Sequence, residues 1–435
     1  MKGRKKMLEI NNVVVIGATG AVGKTVAGIF ASFGNAKVYM VGRSIEKVKT
    51  ACYDAAKSVK SISIMDNLIP IDFDSINKYI LNADLIFESI SENLTLKKEI
   101  HAKINKYIKK NTIIATGTSG LSIDELATCY SEKNREQFIG IHFFNPPYSL
   151  TLCELIPSVY NEKNDIFISQ LKSYLVENLR RNVVIVKNKP AFLANRIGFM
   201  FMNEALQYAE KYKENGGIDY IDSILGCYTG RNMRPLETID FVGLDIHQSI
   251  VNNIYINSTE NDKKSFVIPA FCQELISNGY LGKKSRIGLY KKTENGELLV
   301  YDIITKRYRD VVEYKFQYLE NTLLCFKNGN YKDGFDVIKN DTSLESNICM
   351  EFLLKYIVYS LQISSNISTN INAFDIAMAN GFNWIPPLAL VEALGGQNEV
   401  KRLCKKYLKD SYNENVLNNI PKSKYDYRKY IKAKV

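Results

Sequence analysis

The sequence predicts a doubly wound, mostly parallel α/β sheet over its first 188 residues, followed by two all-helical modules. Three observations support this prediction. A β-branched run from Asn12 to Ile16 enters a glycine-containing turn and then an alanine-rich helix that reaches about Phe33. Short apolar runs then alternate with helical patterns up to Val186. Beyond Asn195 the periodicity is helical, and one pattern occurs twice.

The composition is typical of a globular protein with more than one domain. The chain has 435 residues, of which 46% are apolar. No apolar run approaches the roughly 20 residues that a membrane helix needs, and Val13 to Ala18 is too short for a signal peptide. The eight cysteines are scattered without a CxxC pair, which argues against structural zinc and a disulfide framework. We therefore expect a cytoplasmic protein without a membrane segment or a metal.

The chain is basic, with a net charge of +11 and basic residues concentrated at both ends. A basic, tyrosine-containing tail such as Lys422 to Lys429 would suit a nucleic-acid backbone. Lysine enrichment is more often a solvated surface, and a phosphate-bearing cofactor or substrate also favours a positive field. We therefore expect no nucleic-acid partner.

Three glycines, Gly17, Gly20 and Gly23, follow the first strand in a GxxGxxG pattern and open the first helix. Glycines allow the backbone to approach a pyrophosphate, and the helix N-terminus supplies amide donors and a positive dipole. The alternative is a plain turn between strand and helix. The strand, turn and helix context favours dinucleotide binding, with a turn one residue wider than in GxGxxG.

The second strand, Lys37 to Val41, is followed by Gly42 and Arg43. Proteins built for NAD usually carry an acidic residue here, which accepts hydrogen bonds from the ribose hydroxyls. A guanidinium instead suits a 2′-phosphate, which it can meet with two charge-assisted bonds. Arg43 as a solvated turn residue is the alternative. The sequence therefore indicates NAD(P), and this one arginine favours NADP over NAD.

A short apolar run ends in His142, just before Asn145 and two prolines. This pattern predicts a buried strand that delivers an imidazole to its carboxyl end, where open α/β sheets bind ligands. Glu154 follows twelve residues later on the next apolar run, so a short chain reversal would pair it with the histidine as a general acid or base. A core histidine is the alternative. His101 and His247 lie on predicted helices among polar residues, without another catalytic group nearby.

Six stretches of the sequence, spread over nearly the whole chain, carry a family resemblance. They are residues 87–99, 118–122, 140–147, 154–157, 189–198 and 281–290. With these stretches, in this order, the sequence resembles the 3-hydroxyacyl-CoA dehydrogenase family. The resemblance is to the long form, which has two C-terminal helical modules, without the hydratase that is fused to some relatives. It implies a Rossmann-type sheet for the first domain.

The resemblance implies roles for individual side chains. His142 would be the catalytic base and Glu154 its orienting partner. Ser119 and Asn195 would contact the substrate oxygen and thioester region, and Asn145 would line the same pocket. From the residues alone, the hydroxyls around Ser119 have a second use, which is to cap the next helix.

For the cofactor, the resemblance implies that Glu92 and Lys97 lie beside the nicotinamide ribose. The chain also departs from the family pattern. The glycine spacing and the missing acid leave the choice of cofactor open. Gly117 stands where the family normally has asparagine, which leaves the substrate geometry open.

We predict four segments. These are a dinucleotide-binding domain at 1–188, a first helical module at 189–292, a linker with a hairpin at 293–334, and a second helical module with a basic tail at 335–435.

An internal duplication explains the two helical modules. A proline, an acid and a glycine with offsets of five and three begin at Pro235 and again at Pro387. Family members with one such module usually dimerise through it. A second copy in the same chain would take the partner's place, which predicts a monomer.

The implied activity is NAD(P)-dependent interconversion of 3-hydroxyacyl-CoA and 3-oxoacyl-CoA in fatty acid metabolism. Two alternatives stay open. The hydroxyacyl group would be held on an acyl carrier protein in a biosynthetic pathway, or the chain would be a non-catalytic scaffold that keeps the fold. Measuring the activity on CoA thioesters and on carrier-bound thioesters distinguishes the first alternative from the CoA-dependent activity. Intact residues at positions 142, 154, 119 and 195 argue against the second.

Overall fold

The structure is a computed structural model that describes residues 8–257, 263–368, 370–409 and 411–433. The chain divides into two compact units. The first comprises Met1–Phe192 with Ile367–Ile376, and the second comprises Leu193–Asn366 with Ala377–Val435. The basic start of the chain, residues 1–7, lies outside the described residues.

The first unit is built on an eight-stranded sheet in the order β3-β2-β1-β4-β5-β6-β7-β8. Strands β1 to β6 are parallel, β7 runs antiparallel to β6, and β8 is parallel to β7. This confirms the predicted mostly parallel, doubly wound sheet. The strands are β1 Asn12–Ile16, β2 Lys37–Gly42, β3 Leu68–Asp72, β4 Leu85–Glu88, β5 Ile113–Thr116, β6 Phe138–Phe143, β7 Leu152–Pro157 and β8 Asn182–Ile185.

Helices cover the sheet, so its central strands are buried. The four residues Val13 to Ile16 of β1 are all buried, as a parallel strand between two helical layers requires. The helices of this unit are α1 Ala21–Ser32, α2 Ile45–Ser58, α3 Asn77–Ile80, α4 Leu94–Asn105, α5 Ile123–Ala127, α6 Glu132–Arg135 and α7 Asp165–Glu177.

The edge strand β3 was not recognised in the sequence. It contains Pro70, and a proline inside an apolar run argues against a central strand because it cannot donate to the ladder. In the structure β3 lies at the edge of the sheet, beside β2, where a strand can contain a proline.

The second unit is helical with one small sheet. Its helices are α8 Ala194–Lys211, α9 Ile218–Ile224, α10 Pro235–Val242, α11 Leu244–Asn257, α12 Ala270–Ser277, α13 Gln317–Lys327, α14 Tyr331–Asn340, α15 Leu344–Ile367, α16 Ala373–Gly381, α17 Pro387–Ala393 and α18 Gln397–Tyr407, of which α15 ends and α16 begins in the segment assigned to the first unit. The small sheet has the order β11-β10-β9. Its strands β9 Tyr290–Lys292, β10 Leu298–Asp302 and β11 Arg307–Asp310 are antiparallel. The predicted hairpin is thus present, with a third strand added.

The two copies of the repeated pattern take the same local conformation. Both α10 and α17 begin with a proline in the first turn, where the missing amide costs nothing. Gly243 and Gly395 follow them with φ of 106° and 108°, a region that favours glycine. An internal duplication predicts this likeness, and the duplication itself stays a prediction.

No helix among the described residues combines the length and the apolar character needed to cross a membrane.

His247 is fully buried in the second unit, so the expectation that it lies among polar residues is wrong. Its ring stacks on Phe199, and Nε2 lies 3.2 Å from Asn203 Oδ1. The amide of Asn203 donates to two backbone carbonyls, which turns its oxygen toward the imidazole. Nδ1 has no hydrogen-bond partner among the described residues. Burial therefore lowers the pKa of His247 to about 3 because a proton on Nδ1 would be a buried, unpaired charge.

This buried histidine predicts acid lability. The folded chain keeps His247 neutral, while the unfolded chain takes up a proton below the ordinary pKa of 6.5. Its contribution to the free energy of unfolding should therefore fall by roughly 1.4 kcal/mol per pH unit as the pH drops below that value. Urea unfolding at pH 7 and pH 5 measures it. His247→Gln should lose less stability on acidification than the wild type, and equal losses would contradict the assignment.

Candidate active site

The site begins with a cross-strand pair in the first unit. Strands β6 and β7 are antiparallel, and their register places His142 directly opposite Glu154. Directly opposed residues point to the same face of a sheet, with Cβ atoms close enough for the side chains to touch. His142 Nδ1 lies 2.8 Å from Glu154 Oε2. The predicted proximity of imidazole and carboxylate is therefore present.

The surroundings of the pair set its chemistry. Glu154 is fully buried and His142 is 4% exposed, and the rings of Phe144 and Phe192 pack on the imidazole. A carboxylate only accepts hydrogen bonds, so Nδ1 is the donor and Nε2 is left with the lone pair. This tautomer can take a proton at Nε2.

The glycine turn after β1 approaches a second backbone segment. Gly17 has φ of 83°, and a Cβ on it would lie 2.4 Å from the carbonyl oxygen of Ser89. A Cβ on Gly23 would lie 2.5 Å from Gly17 O, so this glycine permits close packing of α1 on the turn. Gly20 is the N-cap of α1, and a Cβ on it would make a tight contact at 3.3 Å from Gly17 O, less severe than at Gly17 or Gly23.

A cavity of about 340 Å³ lies over this turn. Its position suits a dinucleotide, because the lining includes Gly17 and Gly20, the N-cap of α1, and a glycine turn at a helix N-terminus can bind a pyrophosphate. Of the predicted cofactor residues, Gly17, Gly20 and Arg43 line the cavity. The lining also includes Ile16, Thr19, Val41, Gly42, Phe73, Ser89, Ile90, Ser91, Leu96 and Ile100.

The end of β2 is arranged around a glycine and an exposed arginine. A Cβ on Gly42 would lie 2.7 Å from Val48 Cγ2 and 3.1 Å from Thr19 Cγ2, so an acidic side chain has no ready space here. Arg43 is exposed and makes no hydrogen bond or ion pair with any other described residue. Its guanidinium is therefore available to a ligand in the cavity.

The turn after β5 is held by Glu92. The Thr118 hydroxyl and the Ser119 amide both donate to Glu92 Oε1, at 2.6 and 2.8 Å. The cap of α5 is the side chain of Ser122, which accepts from the Glu125 amide. The half-buried Ser119 is thus not the cap. Its hydroxyl makes no hydrogen bond within the described part of the chain and can meet a substrate oxygen.

Lys97 is buried beneath this turn. Its ammonium lies 2.7 Å from Glu88 Oε1 and 3.5 Å from Glu92 Oε2, and its side chain is only 1% exposed. Lys97 does not line the dinucleotide cavity, nor does Glu92. Their contact with the ribose stays a prediction.

The sequence did not indicate which residues surround Glu88, the carboxylate closest to Lys97. Glu88 Oε2 accepts from the Thr116 hydroxyl at 2.7 Å and lies 3.4 Å from His101 Nε2. His101 Nδ1 is 2.7 Å from the Tyr130 hydroxyl. We call Glu88, Lys97, Thr116, His101 and Tyr130 the buried cluster.

The buried cluster keeps an ionised carboxyl inside the protein. Burial alone would raise the pKa of the Glu88 carboxyl, but the neighbouring His101 and Lys97 lower it to about 2. The expectation that His101 has nothing chemical nearby is therefore wrong. One signal was available, because Lys97, His101 and Ile104 are spaced four and three residues apart and form the buried stripe of α4.

The remaining predicted residues are more scattered. Asn145 is exposed at the end of β6, in the loop that leads to β7. Asn195 belongs to the second unit, in the first turn of α8, and is 6% exposed. Contacts of either residue with substrate stay predictions. Among the described residues, no group of three or more His, Cys, Asp or Glu side chains could hold a metal ion.

Comparison with known families agrees with this geometry. The model of the NAD-binding domain of 3-hydroxyacyl-CoA dehydrogenase matches residues 12–189. The model of the C-terminal domain of the same enzyme matches residues 192–292. A nicotinamide dinucleotide is therefore the cofactor type of the first domain.

Individual relatives agree as well. A probable 3-hydroxyacyl-CoA dehydrogenase of Bacillus subtilis is 31% identical over 366 residues, which cover 83% of this chain and 44% of that protein. The chain thus spans less than half the length of this relative. A 3-hydroxybutyryl-CoA dehydrogenase of Clostridioides difficile is 31% identical over 211 residues, covering 48% of this chain and 70% of its own.

A solved structure shares the fold over almost the whole chain. The crystal structure of 3-hydroxybutyryl-CoA dehydrogenase from Escherichia coli K12 matches 94% of this chain and 97% of its own, with a TM-score of 0.69 and 21% identity. With the two domain models in order along the sequence, these relatives show that the chain belongs to the 3-hydroxyacyl-CoA dehydrogenase family.

Proposed function

We propose that the protein interconverts 3-hydroxyacyl-CoA and 3-oxoacyl-CoA thioesters, with NADP preferred to NAD. One observation carries the proposal. A buried carboxylate holds Nδ1 of His142 at 2.8 Å, in the same unit as a cavity over the glycine turn. Relatives whose names state 3-hydroxyacyl-CoA or 3-hydroxybutyryl-CoA dehydrogenase activity support the substrate class.

The chemistry divides between cofactor and protein. A bound nicotinamide dinucleotide supplies the group that accepts or donates hydride at carbon 3. Nε2 of His142 takes the proton of the substrate hydroxyl in oxidation and returns it in reduction. Glu154 holds the ring in the required tautomer and stabilises the imidazolium that forms. In this proposal Ser119 and Asn195 contact the substrate oxygen and thioester region, and Asn145 lines the same pocket.

The proposed role of His142 predicts the kinetics of His142→Ala. The variant should lose roughly 10²–10⁴-fold in kcat because it lacks the acid–base group, while the dinucleotide dissociation constant is unchanged. Steady-state assays with acetoacetyl-CoA and fluorescence titration of the reduced dinucleotide measure both quantities.

Glu154→Gln should lie between His142→Ala and the wild type in kcat, since the carboxamide keeps the shape without the charge. Its matched control is Glu162→Gln, an exposed residue of the same unit. A His142→Ala enzyme with nearly wild-type kcat would remove the imidazole from the chemistry.

The preference for NADP rests on the end of β2. Gly42 leaves no ready space for an acid. Arg43 lines the cavity, and its guanidinium makes no hydrogen bond or ion pair with another described residue. A 2′-phosphate would supply the anion that this guanidinium lacks.

Removing the guanidinium should therefore act on one cofactor only. Arg43→Ala should raise the KM for NADPH about 10- to 100-fold, the usual effect of losing hydrogen bonds to a charged group, and leave the KM for NADH unchanged. Lys163→Ala, which removes an exposed positive charge elsewhere in the same unit, is the control. A wild-type enzyme that uses NADH at least as well as NADPH would refute the preference.

The second helical module supports a proposed monomer. Within the second unit, Arg231 of the first copy is fully buried, with its guanidinium 3.8 Å from the Phe201 ring and 4.7 Å from the Trp384 ring. Burial lowers the pKa of Arg231 to about 10. The Ile385 amide donates to Gly230 O at 2.7 Å. The second copy thus covers a surface of the first.

A covered surface is not available to another chain. Sedimentation equilibrium should therefore give the mass of one chain, 49.5 kDa, across the micromolar range. Trp384→Ala should loosen the cover around Arg231 and promote self-association, whereas Tyr255→Ala, an exposed aromatic of the same unit, should not. A tight wild-type dimer would contradict the proposal.

A further inference from the structure

We infer that His101 and Tyr130 are positioning residues for both ligands, although neither touches a ligand. They act through Glu88 and Lys97 on Glu92, which holds the turn carrying Ser119. The inference rests on the proposed function, because it assigns Ser119 to the substrate. It adds His101 and Tyr130 to the site, two residues that have no role in the proposed hydride and proton transfer.

The first step is the burial of the buried cluster. His101, Glu88 and Thr116 are 0% exposed, Lys97 is 1% exposed and Tyr130 is 2% exposed. Burying a polar side chain costs free energy of folding unless the side chain finds hydrogen-bond or ion-pair partners. Here every member has a polar neighbour within the cluster, although His101 Nε2, which lies 3.4 Å from Glu88 Oε2, makes no hydrogen bond among the described residues. The cluster therefore favours one arrangement of the elements that carry it.

The second step is the balance of charge. Lys97 lies between two carboxylates, those of Glu88 and Glu92. The single positive charge of Lys97 does not balance both carboxylates. The second oxygen of Glu88, Oε2, accepts from the Thr116 hydroxyl and lies 3.4 Å from His101 Nε2. Without the imidazole, Glu88 would draw more strongly on Lys97, and Lys97 would move away from Glu92.

The third step is the orientation of the imidazole. The Tyr130 hydroxyl lies 2.7 Å from His101 Nδ1, and donates to it when Nε2 carries the proton. That tautomer places the protonated Nε2 3.4 Å from Glu88 Oε2, an electrostatic contact without hydrogen-bond geometry. The rings of Tyr130 and Phe138 also pack on the imidazole, so Tyr130 fixes both the place and the direction of His101.

The fourth step links the cluster to both ligands. On α4, Leu96 and Ile100 line the dinucleotide cavity, while Lys97 and His101 on the adjacent face belong to the cluster. Glu92 precedes the same helix and binds the Thr118 hydroxyl and the Ser119 amide. The cluster therefore ties the wall of the cofactor cavity to the proposed substrate turn. It does not include the His142–Glu154 pair.

This arrangement predicts a specific kinetic signature. Loss of the cluster should weaken the binding of thioester and dinucleotide while kcat at saturation changes little, since the acid–base pair is intact. A residue that only stabilises the fold would change the melting temperature and leave the KM of the folded enzyme alone.

The test uses Tyr130→Phe, His101→Leu and His101→Gln in the full-length protein. Tyr130→Phe removes one oxygen and should raise the KM for acetoacetyl-CoA and the dissociation constant for NADPH about 2- to 10-fold. His101→Leu should raise both about tenfold or more. His101→Gln, whose amide can donate to Glu88, should recover part of the loss.

The matched control is Tyr174→Phe in the same unit. Tyr174 is also buried, at 3% exposed, and its hydroxyl has no hydrogen-bond partner among the described residues. Removing that hydroxyl should leave KM and the dissociation constant unchanged. Thermal melting of all four variants separates binding effects from loss of fold.

The inference is overturned if Tyr130→Phe and Tyr174→Phe give the same KM and dissociation constant. It is also overturned if the loss appears in kcat alone. If His101→Leu does not fold, Tyr130→Phe decides, because one hydroxyl is a small change. A wild-type enzyme without activity on the thioester would refute the proposed function, and the NADPH titration would still test the cluster.

Discussion

The antiparallel pairing of β6 with β7 is the constraint on which the proposed chemistry depends. In a sheet of parallel strands, neighbouring carboxyl ends lie at one edge, and a βα crossover of a dozen or more residues separates them. The reversal at β7 instead brings Glu154 opposite His142 after twelve residues. A slip of one residue in this register would turn the carboxylate to the other face of the sheet. Burial of Glu154 on a strand of apolar residues opposes such a slip.

The first unit contains two buried pairs of an imidazole and a carboxylate, His142 with Glu154 and His101 with Glu88. They differ in what the second nitrogen of the imidazole faces. At the proposed active site, the imidazole of His142 faces one carboxylate through Nδ1, and the proposed mechanism uses its second nitrogen, Nε2, for the substrate proton. In the buried cluster, both imidazole nitrogens of His101 face protein groups, and the Glu88 carboxyl is held ionised by its neighbours. The first arrangement suits proton transfer, and the second suits holding a fixed geometry.

Local sequence patterns predicted the first strand, the glycine turn with its helix, and the proximity of His142 and Glu154. The run from Asn12 to Ile16 matches β1 residue for residue, and the order of strand, glycine turn and helix is encoded within about twenty residues. The pairing of His142 with Glu154 was accessible because both lie on consecutive apolar runs. The Rossmann-type order of the sheet then follows from the right-handed crossovers of parallel strands.

Other features depend on contacts far apart in the sequence and could not be predicted in the same way. Tyr130 meets His101 across 29 positions, and nothing in the local pattern around either residue marks the pair. Lys97 was placed beside the cofactor by the family resemblance, and no local pattern indicated that its ammonium would lie between the carboxylates of Glu88 and Glu92. β3 was missed because a proline inside it obscured an edge strand.

The spacing of the glycine turn shows what physical rule underlies the motif. A Cβ at position 17 or 23 would come within 2.4 or 2.5 Å of a backbone oxygen, so these two positions, six residues apart, require glycine. Position 20, midway between them, has more room at 3.3 Å, and its φ of −74° is open to any residue. Close backbone approach therefore constrains the ends of the GxxGxxG pattern. The middle glycine lines the cavity at the N-cap of α1 and leaves that position without a side chain.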